Sequence, residues 1–170
     1  ILEVEGAKEI AVEFTSMSKT FSMPGWRMGF AVGNEYLISA LTRIKSYLDY
    51  GAFTPIQVAS VAALNSEIKV IDEIRNVYKE RRDILVDSFS NAGWDIPLPK
   101  ATMFAWSPIP DKYSKLSSLE FSKLLLEEVD IAVSPGVGFG EYGEGFVRLS
   151  IVENEQRIRQ AARNLRKIMK

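Results

Sequence analysis

The 170-residue chain contains neither cysteine nor histidine. The first absence excludes disulfides and thiolate metal sites; the second removes the commonest metal ligand and the usual general base. Acid–base chemistry must therefore fall to Lys, Tyr or carboxylates, and no metal site is expected. With 21 basic against 22 acidic residues, no excess of one charge advertises a nucleic-acid or anionic-membrane partner. No uninterrupted apolar run approaches the ~20 residues of a membrane helix, and no basic-then-apolar leader opens the chain. A cytoplasmic location fits, with no nucleic-acid and no membrane partner expected. The chain starts at Ile1 rather than at a methionine, which points to a natural N-terminus elsewhere and to a fragment.

What is present is ordinary for a soluble globular protein: 46% hydrophobic and 25% charged residues. Apolar runs at Ile10 to Phe14 and Gly29 to Val32 read as short strands. Leu37, Ile38, Leu41, Ile44 and Leu48 follow helical spacing over Glu35 to Leu48, and Pro55 suits the first turn of a second helix over Thr54 to Leu64. The longest periodic stretch, roughly Val70 to Phe89, carries Ile74, Val77, Tyr78, Ile84, Leu85 and Phe89 on one face; Asn91-Ala92-Gly93 caps its end. Beyond it the pattern turns mixed, with a strand over Met103 to Ile109, a capping box Ser117-Ser118-Leu119-Glu120 opening a helix through Glu127, and strands at Ile131 to Val133 and Phe146 to Ile151. A closing helix from Glu155 gathers Ile158, Ala161, Ala162, Leu165, Ile168 and Met169 on one side. Periodicity thus predicts the end of an α/β domain, a long helix containing the boundary, and a smaller α+β domain.

The chemistry concentrates in Thr15-Ser16-Met17-Ser18-Lys19-Thr20-Phe21-Ser22-Met23-Pro24-Gly25-Trp26-Arg27-Met28-Gly29. A lysine held among Ser16, Ser18, Phe21 and Trp26 would lose hydration, which favours the neutral, imine-forming amine. Arg27 and the two serines offer charge and hydroxyl donors for a phosphate. Ser16-Met17-Ser18-Lys19 also satisfies the Ser-x-x-Lys of serine acyl-transfer enzymes, but their Lys-Thr-Gly and Ser-x-Asn elements do not occur. Gly138, Gly140 and Gly143 spell Gly-x-Gly-x-x-Gly. A dinucleotide fingerprint must open a helix, whereas a strand-like run follows here, so the glycines read as a flexible turn between strands. Arg148, flanked by apolar residues, reads as interior: an ion-pair partner, or a fork that holds a carboxylate.

The Ser-x-Ser-Lys followed by Gly-x-Arg-x-Gly resembles the pyridoxal-phosphate lysine motif of the class I and II aminotransferases, and every position of it is present. The similarity continues through Tyr47-Leu48-Asp49-Tyr50-Gly51, Thr54-Pro55-Ile56-Gln57, Pro99-Lys100-Ala101-Thr102-Met103-Phe104, Ser134-Pro135-Gly136 to Gly140 and Val147-Arg148-Leu149-Ser150, with alanine, aspartate and diaminopimelate aminotransferases as the nearest look-alikes. It implies an α/β fold: the C-terminal part of the large cofactor-binding domain over residues 1–72, then the interdomain helix and small α+β C-terminal domain over 73–170. It further implies that Lys19 is the catalytic lysine bound to pyridoxal 5'-phosphate, that Ser16 and Arg27 hold the phosphate with Ser18 in the same cofactor site, and that Arg148 grips the α-carboxylate of an amino acid or 2-oxo acid substrate. Tyr47, Tyr50 and Phe53 fall near the subunit interface of the homodimer the resemblance implies. The family's remaining cofactor-binding residues lie upstream of the lysine, so this chain alone is expected to have little or no transaminase activity. The alternative is a noncatalytic folded binding or dimerisation module.

Overall fold

A computed structural model describes residues 1–169. It divides into two compact units, Ile1–Ile74 and Arg75–Lys170. Among the described residues no helix is long and apolar enough to cross a membrane.

The first unit is built on an antiparallel pair, β1 (Val12–Ser16) and β2 (Gly29–Gly33), in the register Val12 opposite Gly33 through Ser16 opposite Gly29. A short helix α1 (Ala7–Ile10) precedes β1 and takes up Ile10, closing with Ala11 N–H on the Ala7 carbonyl; the strand therefore starts two residues later than the apolar run predicts. The link between the strands holds a four-residue helix, α2 (Met17–Thr20), and a 3-10 turn opened by Pro24. After β2 come α3 (Glu35–Leu48), whose Asn34 cap takes the Leu37 N–H at 3.0 Å, and α4 (Thr54–Leu64), with Pro55 in its first turn. Both match their predicted spans, yet their apolar stripes are largely uncovered. In α3, Leu37, Ile44 and Leu48 are 45%, 59% and 77% exposed. Ala7 and Met17 are the buried apolar side chains among residues 1–74, and of the two Met17 is fully enclosed.

Helix α5 (Ile68–Ser90) continues into the second unit. It ends as predicted at Asn91 to Gly93: Gly93 is left-handed, and Trp94 N–H returns to the Phe89 carbonyl at 3.0 Å. The second unit has a real core. Its sheet runs β3 (Phe104–Pro108), β5 (Phe146–Ser150), β4 (Ser134–Pro135), all antiparallel, and α6 (Ser118–Val129) and α7 (Glu155–Met169) supply the other layer. Leu85 and Phe89 of α5, Phe121, Leu125 and Val129 of α6, and Ile158, Ala162 and Leu165 of α7 meet Ala105, Val147 and Leu149 of the sheet. Trp94 fills the centre, edge-on to Phe121, with its indole N–H on the Pro108 carbonyl at 3.0 Å.

The strand predicted at Ile131 to Val133 is displaced to β4. Asp130 is left-handed and the Ile131 N–H returns to the Leu125 carbonyl, so Ile131 terminates α6 instead of joining the ladder. The glycine-rich segment is a turn between strands, as predicted, but a packed one. It holds two 3-10 turns, Gly136–Phe139 and Glu141–Gly143, set back to back: a Cβ on Gly136 would stand 1.9 Å from the Gly143 carbonyl oxygen, and one on Gly143 2.0 Å from that of Gly136. At Gly138 a Cβ meets nothing within 4 Å. Gly136→Ala is therefore expected to cost about 3 kcal/mol or more, at the upper end of overpacking penalties. Gly138→Ala should be close to neutral. Denaturant midpoints of the two variants in the full-length protein, at unchanged slope, check the contrast.

Candidate active site

The β1–β2 ladder sets the first group of residues. Its last pair, Ser16 opposite Gly29, brings both ends of the linking segment together, so Ser16, Ser18, Lys19 and Arg27 lie at one end of the ladder. Gly29 admits no side chain there, because a Cβ would approach the Thr15 carbonyl oxygen to 2.7 Å. Beneath the segment Met17 is fully buried, its N–H on the Met28 carbonyl at 3.0 Å. Ser16 caps α2 by accepting the Ser18 N–H at 3.1 Å; its own hydroxyl proton remains available to an anion. Arg27 is left-handed (φ 53°), a conformation that costs a non-glycine residue on the order of 1 kcal/mol and recurs at functional sites. Its Nη1 donates to the Pro24 carbonyl at 3.0 Å, which leaves the rest of the fork for a ligand. This donor set fits a phosphate.

One expectation fails. Lys19 is exposed, and Trp26 is half exposed, so the burial predicted around the amine is not supplied. The reason is local: a four-residue helix on a two-stranded ladder has too little surface to enclose a side chain.

Arg148 lies in the second unit, on the face of β5 opposite the buried Val147 and Leu149. It is half-buried. Its guanidinium carbon stands 4.2 Å over the Phe104 ring centre and 4.5 Å over that of Phe139, and Nη2 makes one long bond, 3.4 Å, to Ser134 Oγ. No carboxylate among the described residues pairs with it. Trp106 and Phe146 stack on the same face, and Phe139 meets Trp106 edge-on. The alternation in β3 and β5 could have found this aromatic face; Phe139, from the glycine loop, carries no such signal.

A second feature escaped sequence reasoning. Glu144 accepts the Ser118 N–H and the Gly145 N–H, the latter at 3.0 Å, and the Ser118 hydroxyl at 3.1 Å. The main-chain bond from Ser118, then that from Gly145, hold its carboxyl below the usual glutamate value against opposing desolvation. A carboxyl lowered in the folded state contributes stability that is complete above the ordinary glutamate range and is lost as pH falls through the lowered value. Denaturant midpoints of the parent protein and of Glu144→Gln, followed on acidification, should differ above that window and converge below it.

The chain belongs to the class I and II aminotransferases, whose family model matches residues 1–165. Members of this family depend on pyridoxal phosphate. Among curated relatives the chain is 66% identical to AatC of Rhizobium meliloti over 99% of its own length and 42% of that protein. It is 52% identical to the glutamate–pyruvate aminotransferase AlaC of Escherichia coli, covering 98% of the chain and 40% of the relative. The substrate-bound structure of BacF from Bacillus subtilis superposes with a TM-score of 0.93 at 37% identity, over 98% of this chain and 42% of that one. The chain thus spans about two fifths of the relatives it matches, in agreement with the C-terminal part of the pyridoxal-phosphate transferase fold. Membership also removes the serine acyl-transfer reading.

Proposed function

We propose that the chain is the C-terminal part of an enzyme that moves an amino group between an amino acid and a 2-oxo acid, with L-glutamate, L-alanine and pyruvate as the substrates the AlaC similarity favours. The observation that carries the reading is the β1–β2 register, which gathers a lysine, two serines and an arginine at one end of a ladder. Residues 1–72 end the large domain, and 73–170 form the interdomain helix and the small domain. The uncovered stripes of α3 and α4, with exposed Tyr47, Tyr50 and Phe53, support a homodimer in which the rest of the chain and a second subunit cover them. The location is cytoplasmic.

Bound pyridoxal phosphate supplies the electron sink that stabilises a carbanion at the substrate α-carbon. This chain's residues do the rest. Ser16, Ser18 and Arg27 bind and orient the phosphate. Lys19 would hold the aldehyde end of the cofactor through its amine until the substrate's own amine takes that place, and the Nζ so released would take the α-proton and return it. Arg148 holds the α-carboxylate by two parallel hydrogen bonds and so fixes which bond is broken.

Adding pyridoxal phosphate to the full-length protein, reducing with borohydride and mapping the label by peptide mass tests the Lys19 assignment; label at a different lysine overturns it. A panel of amino donors with pyruvate tests the substrates.

A further inference from the structure

The Arg148 site is framed by two rings, and each ring is fixed by its own local device. Phe104 is held through Thr102, a β-branched residue in the left-handed region (φ 72°), whose Oγ1 accepts the Phe104 N–H at 3.0 Å and donates to its carbonyl at 3.3 Å. Phe139 has no ladder to hold it, since it ends the 3-10 turn of the glycine loop and is half exposed. Its anchor is Ser118. This fully buried hydroxyl takes the Val137 N–H at 3.2 Å and gives its proton to Glu144 Oε2, while Oε1 receives the Ser118 and Gly145 N–H groups.

The link serves the helix and the loop together. At the N-terminus of α6 the Ser117 hydroxyl takes the Glu120 N–H at 3.2 Å while Glu120 accepts the Ser117 N–H at 2.9 Å, and the Ser118 N–H, a first-turn donor that this box leaves open, goes to Glu144. The same Ser118–Glu144 link ties the loop, at Val137 and again at Gly145. A loop so tied keeps the Phe139 ring on the guanidinium. A ring there limits the rotation of Arg148 and leaves its edge donors facing outward.

We propose that Ser118 and Glu144 are positioning residues for the carboxylate anchor: by fixing the loop that carries Phe139 they hold the Arg148 fork ready and set how strongly the substrate carboxylate is gripped. The proposal rests on Arg148 being the residue that grips that carboxylate. Its physical basis is preorganisation, because an arginine ordered before binding gives up less freedom when the carboxylate arrives.

The test compares kcat/KM for L-alanine with that for L-alaninamide, which keeps the size of the substrate and lacks its negative charge, in the full-length enzyme. Should the donor panel select another amino acid, that acid and its α-amide replace the pair. Phe139→Leu and Glu144→Gln are each expected to lower the acid-to-amide ratio by roughly 5–10-fold, through KM with kcat retained, in the range of a lost cation–π contact. Phe139→Tyr, which restores the ring, should keep the ratio. Phe139 is half exposed, so its replacement leaves the fold in place even if Glu144→Gln weakens it. A ratio unchanged in Phe139→Leu, or acid and amide falling in parallel, overturns the proposal. Arg148→Lys, measured alongside, separates the two readings: if it leaves the ratio intact, the assignment of Arg148 is what fails.

Discussion

Lys19→Ala in the full-length protein is expected to reduce amino-group transfer by at least about 10³-fold, the scale on which a positioned acid–base residue contributes, and to abolish the borohydride-stable label. Between Met17 and Met28 it is the only lysine. The ladder and the buried Met17 hold the segment, so the cofactor-free protein is expected to stay folded when Lys19 is truncated. The measurement is a single-turnover rate beside a melting curve. A variant that keeps its rate would show that the proton is moved by another group.

The second large effect belongs to Arg148. Removing one partner of a desolvated charge pair costs about 2–5 kcal/mol, so Arg148→Gln should lower kcat/KM for the amino acid by roughly 30-fold to several thousandfold by the same arithmetic. A structural arginine would instead show its cost in folding. Among the described residues, this substitution takes away two ring faces and one long hydrogen bond. Folding stability should therefore change by only about 1–2 kcal/mol. Steady-state kinetics with chemical denaturation of the same variant decides between them.

Much of this was legible beforehand because it is periodic or local. The helical spacing of Leu37 to Leu48, the Ser117–Glu120 box and the Asn91 to Gly93 stop each signal through neighbours three or four residues apart, and each is found where that spacing puts it. The Ser-x-Ser-Lys motif pointed to the lysine, but not to the helix that carries it, since four residues are too few to show a period. Glu144 on Ser118, 26 residues away, and Phe139 over Arg148 arise only once the loop has closed, and no local pattern announces them. The exposure of α3 was hidden for the opposite reason. An apolar stripe declares that it wants a partner without saying whether this chain provides one.

The paired turns at Gly136 and Gly143 constrain how this segment can vary. Each glycine is blocked by a carbonyl oxygen of the other, and a carbonyl belongs to every amino acid, so no exchange at one position can open room at the other. Compensating double substitutions, the ordinary route by which tightly packed pairs drift apart, are closed here. The two sites are bound to move together or not at all, and only a rerouted main chain would release them.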